Sequence, residues 1–99
     1  MARRGAGAPT QPAPRRGTGD VWLELIARER PGPVRDMMSA RRALGISRYG
    51  TPLQRRNGRD AALDLREEVL DGLAYAQALN DRVAVRVLRW LLGYLVSRY

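Results

Sequence analysis

The sequence contains no cysteine, no histidine and no lysine. Without cysteine there are no disulfides, thiolate zinc sites or cysteine nucleophiles. Without histidine the usual general base and the commonest transition-metal ligand are missing, so any hydrolytic chemistry must rest on carboxylates with a hard cation. All 18 basic residues are arginine. Arginine alone suits bidentate contact with phosphate, and a GC-rich coding bias produces the same composition. Internal repeats, zinc spacings, Walker-type glycine loops and dinucleotide fingerprints are also lacking.

What is present is a short chain of 99 residues with a net charge of +8. That length allows one small domain and a modest core, and such a chain gains from oligomerisation. A basic protein favours polyanions, with nucleic acid as the generic partner. The charge is uneven. Residues 1–19 are rich in Gly, Ala, Pro and Arg, carry Arg3, Arg4, Arg15 and Arg16 with no acid, and have no apolar period. They read as a disordered basic arm, and they lack the continuous apolar stretch of a secretory signal.

Residues 20–99 read as a single all-α domain of four helices. Asp20 caps a first helix, Val21 to Arg30, with Val21, Trp22, Leu25 and Ile26 at core spacing, and Pro31-Gly32-Pro33 stops it. Val34 to Leu44 forms the second, with Gly45 as a left-handed cap. The third runs from Asp60 to about Asn80, started by Asn57 or Asp60 as N-cap. The fourth, Arg82 to Tyr99, is apolar almost all round except for Arg82, Arg86, Arg89, Gly93 and Ser97. Arginine interrupts it too often for a membrane span, which needs about 20 predominantly apolar residues. A subunit interface through Trp90, Leu91, Tyr94 and Leu95 explains it better, and a homo-oligomer is expected.

Two stretches carry chemistry. Around Tyr49-Gly50-Thr51-Pro52 and Asn57-Gly58 the chain turns twice, flanked by Arg48, Arg55, Arg56 and Arg59. Glycine amides can approach a phosphate there while arginine forks hold its oxygens; ordinary surface arginines produce the same pattern. On the third helix Asp60, Asp64, Glu67, Glu68 and Asp71 fall within an arc of about 80–100°. Such a face is either solvated, with its acids near the helix N-terminus, or neutralised by a cation or a partner. The arginine strip of the fourth helix would neutralise it in an antiparallel hairpin. A helix-turn-helix built from the second and third helices would present an acidic recognition helix, which ranks DNA binding low.

The order Tyr49-Gly50-Thr51-Pro52-Leu53-Gln54, Asn57-Gly58-Arg59-Asp60-Ala61, Glu67-Glu68-Val69-Leu70-Asp71 and Tyr75 resembles a group of small actinobacterial phage and prophage proteins. Those are grouped with MazG-like all-α nucleotide pyrophosphohydrolases. The resemblance runs from the arginines before Tyr49 to about Leu79. It implies a cytoplasmic protein of an infected or lysogenic host. MazG-like enzymes hold magnesium with two acidic pairs on successive helices, and Glu68-Val69-Leu70-Asp71 matches the second. Upstream, Glu24 and Glu29 are five residues apart, about 140° on a helix, and do not make an i, i+3 pair.

The expected function is therefore binding, or sequestering, of a phosphorylated nucleotide, linear or cyclic, in the manner of a sponge for a host-defence signal. Arg48, Arg56 and Arg59 would hold phosphate, Asn57 would belong to the same ligand site, Tyr49 or Tyr75 would pack on a base, and no metal would be required. The alternative is a magnesium-dependent hydrolase with Asp64, Glu67, Glu68 and Asp71 as metal ligands and no catalytic base assigned. A phage adaptor or nucleic-acid-binding protein ranks third.

Overall fold

The computed structural model describes residues 11–99; of the disordered arm expected over residues 1–19, residues 1–10 lie outside the described residues. Among the described residues the chain is all-helical, with α1 (Val21–Arg28), α2 (Pro33–Tyr49), α3 (Ala61–Ala78) and α4 (Arg82–Arg98), and no strand. None of these helices is long and apolar enough to cross a membrane. The chain divides into two compact units, one running to Arg59 and the other from Asp60 to Tyr99.

In the first unit α1 packs against α2. Asp20 starts α1 by accepting from the Leu23 amide at 3.0 Å, which satisfies one of the free donors of the first turn. Its second carboxylate oxygen takes the Arg42 guanidinium of α2, also at 3.0 Å, so one side chain both caps α1 and ties it to α2. Pro33 occupies the first turn of α2, where a missing amide costs nothing. That helix runs through Gly45 and ends at Tyr49, five residues beyond the expected stop. Gly45 is tolerated inside the helix at a modest entropic cost. The true stop is Gly50, whose φ of 73° only glycine adopts freely and whose amide donates to the Ile46 carbonyl at 2.8 Å.

Residues 12–21 run antiparallel to residues 53–59. The Thr18 amide donates to the Arg55 carbonyl (2.7 Å), the Arg55 amide to the Thr18 carbonyl (2.9 Å), Arg15 to Asn57 (2.9 Å) and Val21 to Leu53 (3.0 Å). From residue 11 to Gly19 the expected free arm is thus a strap bonded to the loop. Gly17 is what permits the approach: a Cβ there would lie 1.8 Å from the Arg55 carbonyl oxygen. Gly-rich composition that reads as disorder serves here as close packing.

The second unit is a helical hairpin. Asp60 caps α3 by accepting from the Leu63 amide (3.1 Å), and Asp81 caps α4 by accepting from Ala84 (2.9 Å). Between the helices Asn80 takes a left-handed φ of 54°, the Asp81 amide donates to Ala76 and the Asn80 amide to Gln77, each at 3.0 Å. This is a Schellman-type ending, which turns the chain within three residues and makes the helices antiparallel. Gly72 of α3 meets the side chain of Leu88 of α4, at matching distances from that turn. Val69, Ala76 and Leu95 are the buried apolar residues of this unit.

Candidate ligand-binding face

The six ligand residues expected from the sequence draw on both units. In the first, Arg48 and Tyr49 are exposed at the end of α2. Arg56, with φ 55°, donates from its guanidinium to the Thr18 hydroxyl at 2.8 Å. Asn57 is buried, its Oδ1 accepting from the Arg59 amide at 3.2 Å in an Asx-type turn. Arg59 donates from Nη1 to the Pro12 carbonyl at 2.8 Å. Two of the expected phosphate contacts, Arg56 and Arg59, therefore tie the strap to the loop, and the Asn57 side chain braces the loop itself. Gly58 keeps φ 87°, and the Arg15 guanidinium lies over it, 2.9 Å from where a Cβ would stand. Tyr75 belongs to the second unit, exposed on α3.

Arg55 forms a two-pronged pair with Glu24 at 2.6 and 2.9 Å. The Arg55 hydrogen bond, aided by its charge, holds the Glu24 carboxyl below its ordinary range, and Glu24 in turn raises the Arg55 guanidinium. Desolvation pushes the Asp20 carboxyl up, but the Arg42 guanidinium and the Leu23 amide together outweigh it and leave the group lowered. These arginines position α1 and the loop.

The acids expected as metal ligands, Asp64, Glu67, Glu68 and Asp71, all lie on α3, with Asp60 as its cap. Among the described residues no group of three or more carboxylates stands close enough to hold a metal ion.

Helix α4 sorts its side chains into three bands. Leu88, Leu91 and Leu92 are half-buried and Leu95 is buried, at 3 % exposure, so of the four residues expected at a subunit interface only Trp90 and Tyr94 lie on the open surface. One outward band holds Arg82, Arg86 and Arg89. The other holds Val83, Val87, Trp90 and Tyr94, with Trp90 at 68 % exposure. At about 100° per residue Trp90 stands roughly 40° from Arg86, so the bands adjoin. The Trp90 and Tyr94 rings lie almost parallel, 12° apart, with centroids at 5.9 Å. Their i, i+4 spacing places them one turn apart on one side of the helix.

An open groove of about 590 Å³ is lined by Arg86, Arg89, Trp90, Gly93, Tyr94 and Ser97. A second, of about 770 Å³, runs from Gln77, Asn80, Asp81 and Arg82 past Val85 to the same Arg86 and Arg89, with Asp81 as its one carboxylate. Gly93 gives the first its floor: the nearest atom to a Cβ there would be Nη1 of Arg89, 3.9 Å away. Among the described residues Arg82, Arg86 and Arg89 have no hydrogen-bond or ion-pair partner. Guanidinium forks beside aromatic faces supply the two contacts a nucleotide offers, phosphate oxygens and a flat base.

Protein-family models, curated proteins and solved structures were compared with this chain. None matches.

Proposed function

We propose that this protein binds a phosphorylated nucleotide, linear or cyclic, and withholds it from other proteins. The observation that carries the reading is the α4 face, where Arg86 and Arg89 adjoin the stacked rings of Trp90 and Tyr94. The guanidinium groups hold phosphate and the rings pack on the base. With the resemblance of residues 48–79 to phage proteins, the reading becomes that of a phage product acting in the host cytoplasm as a sponge for a nucleotide signal of defence. Of the loop residues, Arg48 and Tyr49 keep exposed side chains, whereas Arg56, Asn57 and Arg59 serve the loop itself.

Two other readings each have an observation in their favour. The apolar band Val83, Val87, Trp90, Tyr94 advances by four, three and four residues, the spacing of a helix–helix seam, and so favours a homo-oligomer joined along α4. The alignment of Asp64, Glu67, Glu68 and Asp71 on one helix favours the magnesium-dependent hydrolase. Incubation with nucleoside triphosphates and cyclic nucleotides, with and without magnesium, separates them when the mixture is chromatographed before and after heat denaturation. Sequestration removes the ligand from solution without metal and returns it unchanged. Arg86→Ala with Arg89→Ala abolishes the depletion. Metal-dependent conversion to monophosphate and pyrophosphate, lost in Glu68→Ala, would replace sequestration by hydrolysis. Absence of depletion, with light scattering showing a dimer that Trp90→Ala dissociates, would leave only the interface.

A further inference from the structure

Resting on the nucleotide-binding reading, the geometry points to a longer ligand: we propose that α4 binds single-stranded nucleic acid along its length, several nucleotides at a time. A single nucleotide is held best by a site that encloses it, as small-molecule sites are concave and cover most of their ligand. The two grooves on α4 are open to solvent and elongated along the helix, so they leave room for more than one nucleotide. They adjoin at Arg86 and Arg89, which line both, and between them they follow α4 from Asn80 to Ser97. With a rise of about 1.5 Å per residue, the distance along the helix from Arg82 to Tyr94 is about 18 Å, too long for one phosphate and one base.

This pair of grooves is also ordered along its length. Arg82 and Arg86 lie toward one end, Trp90 and Tyr94 toward the other, with Arg89 between. A strand that places successive phosphates on the three arginines carries its bases past the apolar band, where Trp90 and Tyr94 offer two nearly parallel faces one helical turn apart. Basic tracks beside stacking platforms are the recurring design of proteins that bind single strands with little sequence preference. The helix is suited electrostatically as well. From Arg82 to Tyr99 there is no acidic residue, and Asp81 at its start is occupied in capping. A duplex presents its bases stacked inward and has nothing to lay on Trp90 and Tyr94, so the single strand is preferred.

The test uses the full chain and mixed-sequence, fluorescently labelled single-stranded DNA and RNA of one, two, four and eight nucleotides, with anisotropy read over a series of salt concentrations. Affinity should rise at least tenfold from one nucleotide to four, and a duplex of equal length should bind more weakly. Trp90→Ala should weaken binding of the eight-nucleotide strand at least fivefold. Arg86→Ala and Arg89→Ala should each lower the slope of log affinity against log salt by about 0.7. Circular dichroism of each variant checks that the helices persist, as expected for side chains on the open surface. Equal affinity for one nucleotide and for eight, with both lost in the variants, would overturn the strand proposal and leave the nucleotide reading standing. Binding of strands that none of the three substitutions alters would overturn the α4 site. No binding of either ligand would sink both, and a Trp90→Ala variant that turns a dimer into a monomer in that case would assign the face to a second copy of the chain.

Discussion

Alanine at Gly17 puts the strap to its sharpest test. The new Cβ would stand 1.8 Å from the Arg55 carbonyl oxygen and would bring backbone carbons of Arg55 and Arg56 within 2.9 Å, so the two segments must separate. Neither obstacle is the end of a flexible side chain. Separation breaks the paired amides of Thr18 and Arg55 and strains the bonds from Arg15 to Asn57 and from Gly17 to Gln54. At about 1 kcal/mol net for each bond, loss of two to three destabilises the strap by about 2–3 kcal/mol. By the tenfold change that each 1.4 kcal/mol brings, exchange protection of the Arg15, Thr18 and Arg55 amides should fall by a factor of about 30 to 150. Trypsin should cut at Arg15 and Arg16 correspondingly faster. Hydrogen exchange followed by NMR reads this directly, with the α3–α4 amides as internal reference. Protection of those three amides within threefold of the parent would refute the argument that Gly17 is required by close approach.

Three further outcomes follow from the local chemistry. Gly45→Ala, inside α2 with nothing within 4 Å of the added carbon, should stabilise the protein by about 0.5–1 kcal/mol and raise its melting temperature. Asp81→Ala removes the acceptor of the Ala84 amide and should destabilise the hairpin by about 0.5–2 kcal/mol in denaturant titration, whereas Asp81→Asn should recover most of it. Asp20 and Glu24 are both lowered from ordinary values of 3.8 and 4.5, so as pH falls the unfolded chain takes up these protons before the folded chain does. Their contribution is present in full above about pH 5, begins to fade as pH reaches the ordinary values and is lost as it falls on through the lowered folded ones, and Glu24→Gln should shift the acid transition seen by circular dichroism.

The helices were legible where an aspartate announced a start: Asp20 and Asp60, both expected as caps, do cap α1 and α3, and Asp81 caps α4 in the same way. Gly45 misled because glycine marks both helix ends and tolerated interior positions, and only its φ distinguishes them. The strap was not legible because its bonds run between backbone atoms far apart in sequence and leave no apolar period. Its one local trace is Gly17, where a side chain would have blocked the approach. For the same reason the sequence did not show that Arg56 and Arg59 each give one guanidinium nitrogen to the strap, Arg56 to the Thr18 hydroxyl and Arg59 to the Pro12 carbonyl. On α4 the division between Leu95 and its neighbour Tyr94 was implicit in the 100° between successive residues. An apolar content high enough to suggest burial all round concealed it.

The absence of lysine and histidine gives the outward face of α4 a property of its own. Its row of Arg82, Arg86 and Arg89 presents planar guanidinium forks and no amine. Nothing in the row can be silenced by acetylation of an amine. What tunes such a surface is the ion atmosphere around it: added salt would compete for any phosphate contact made there. On the binding proposed for α4, capture and release would then follow the salt content of the surroundings.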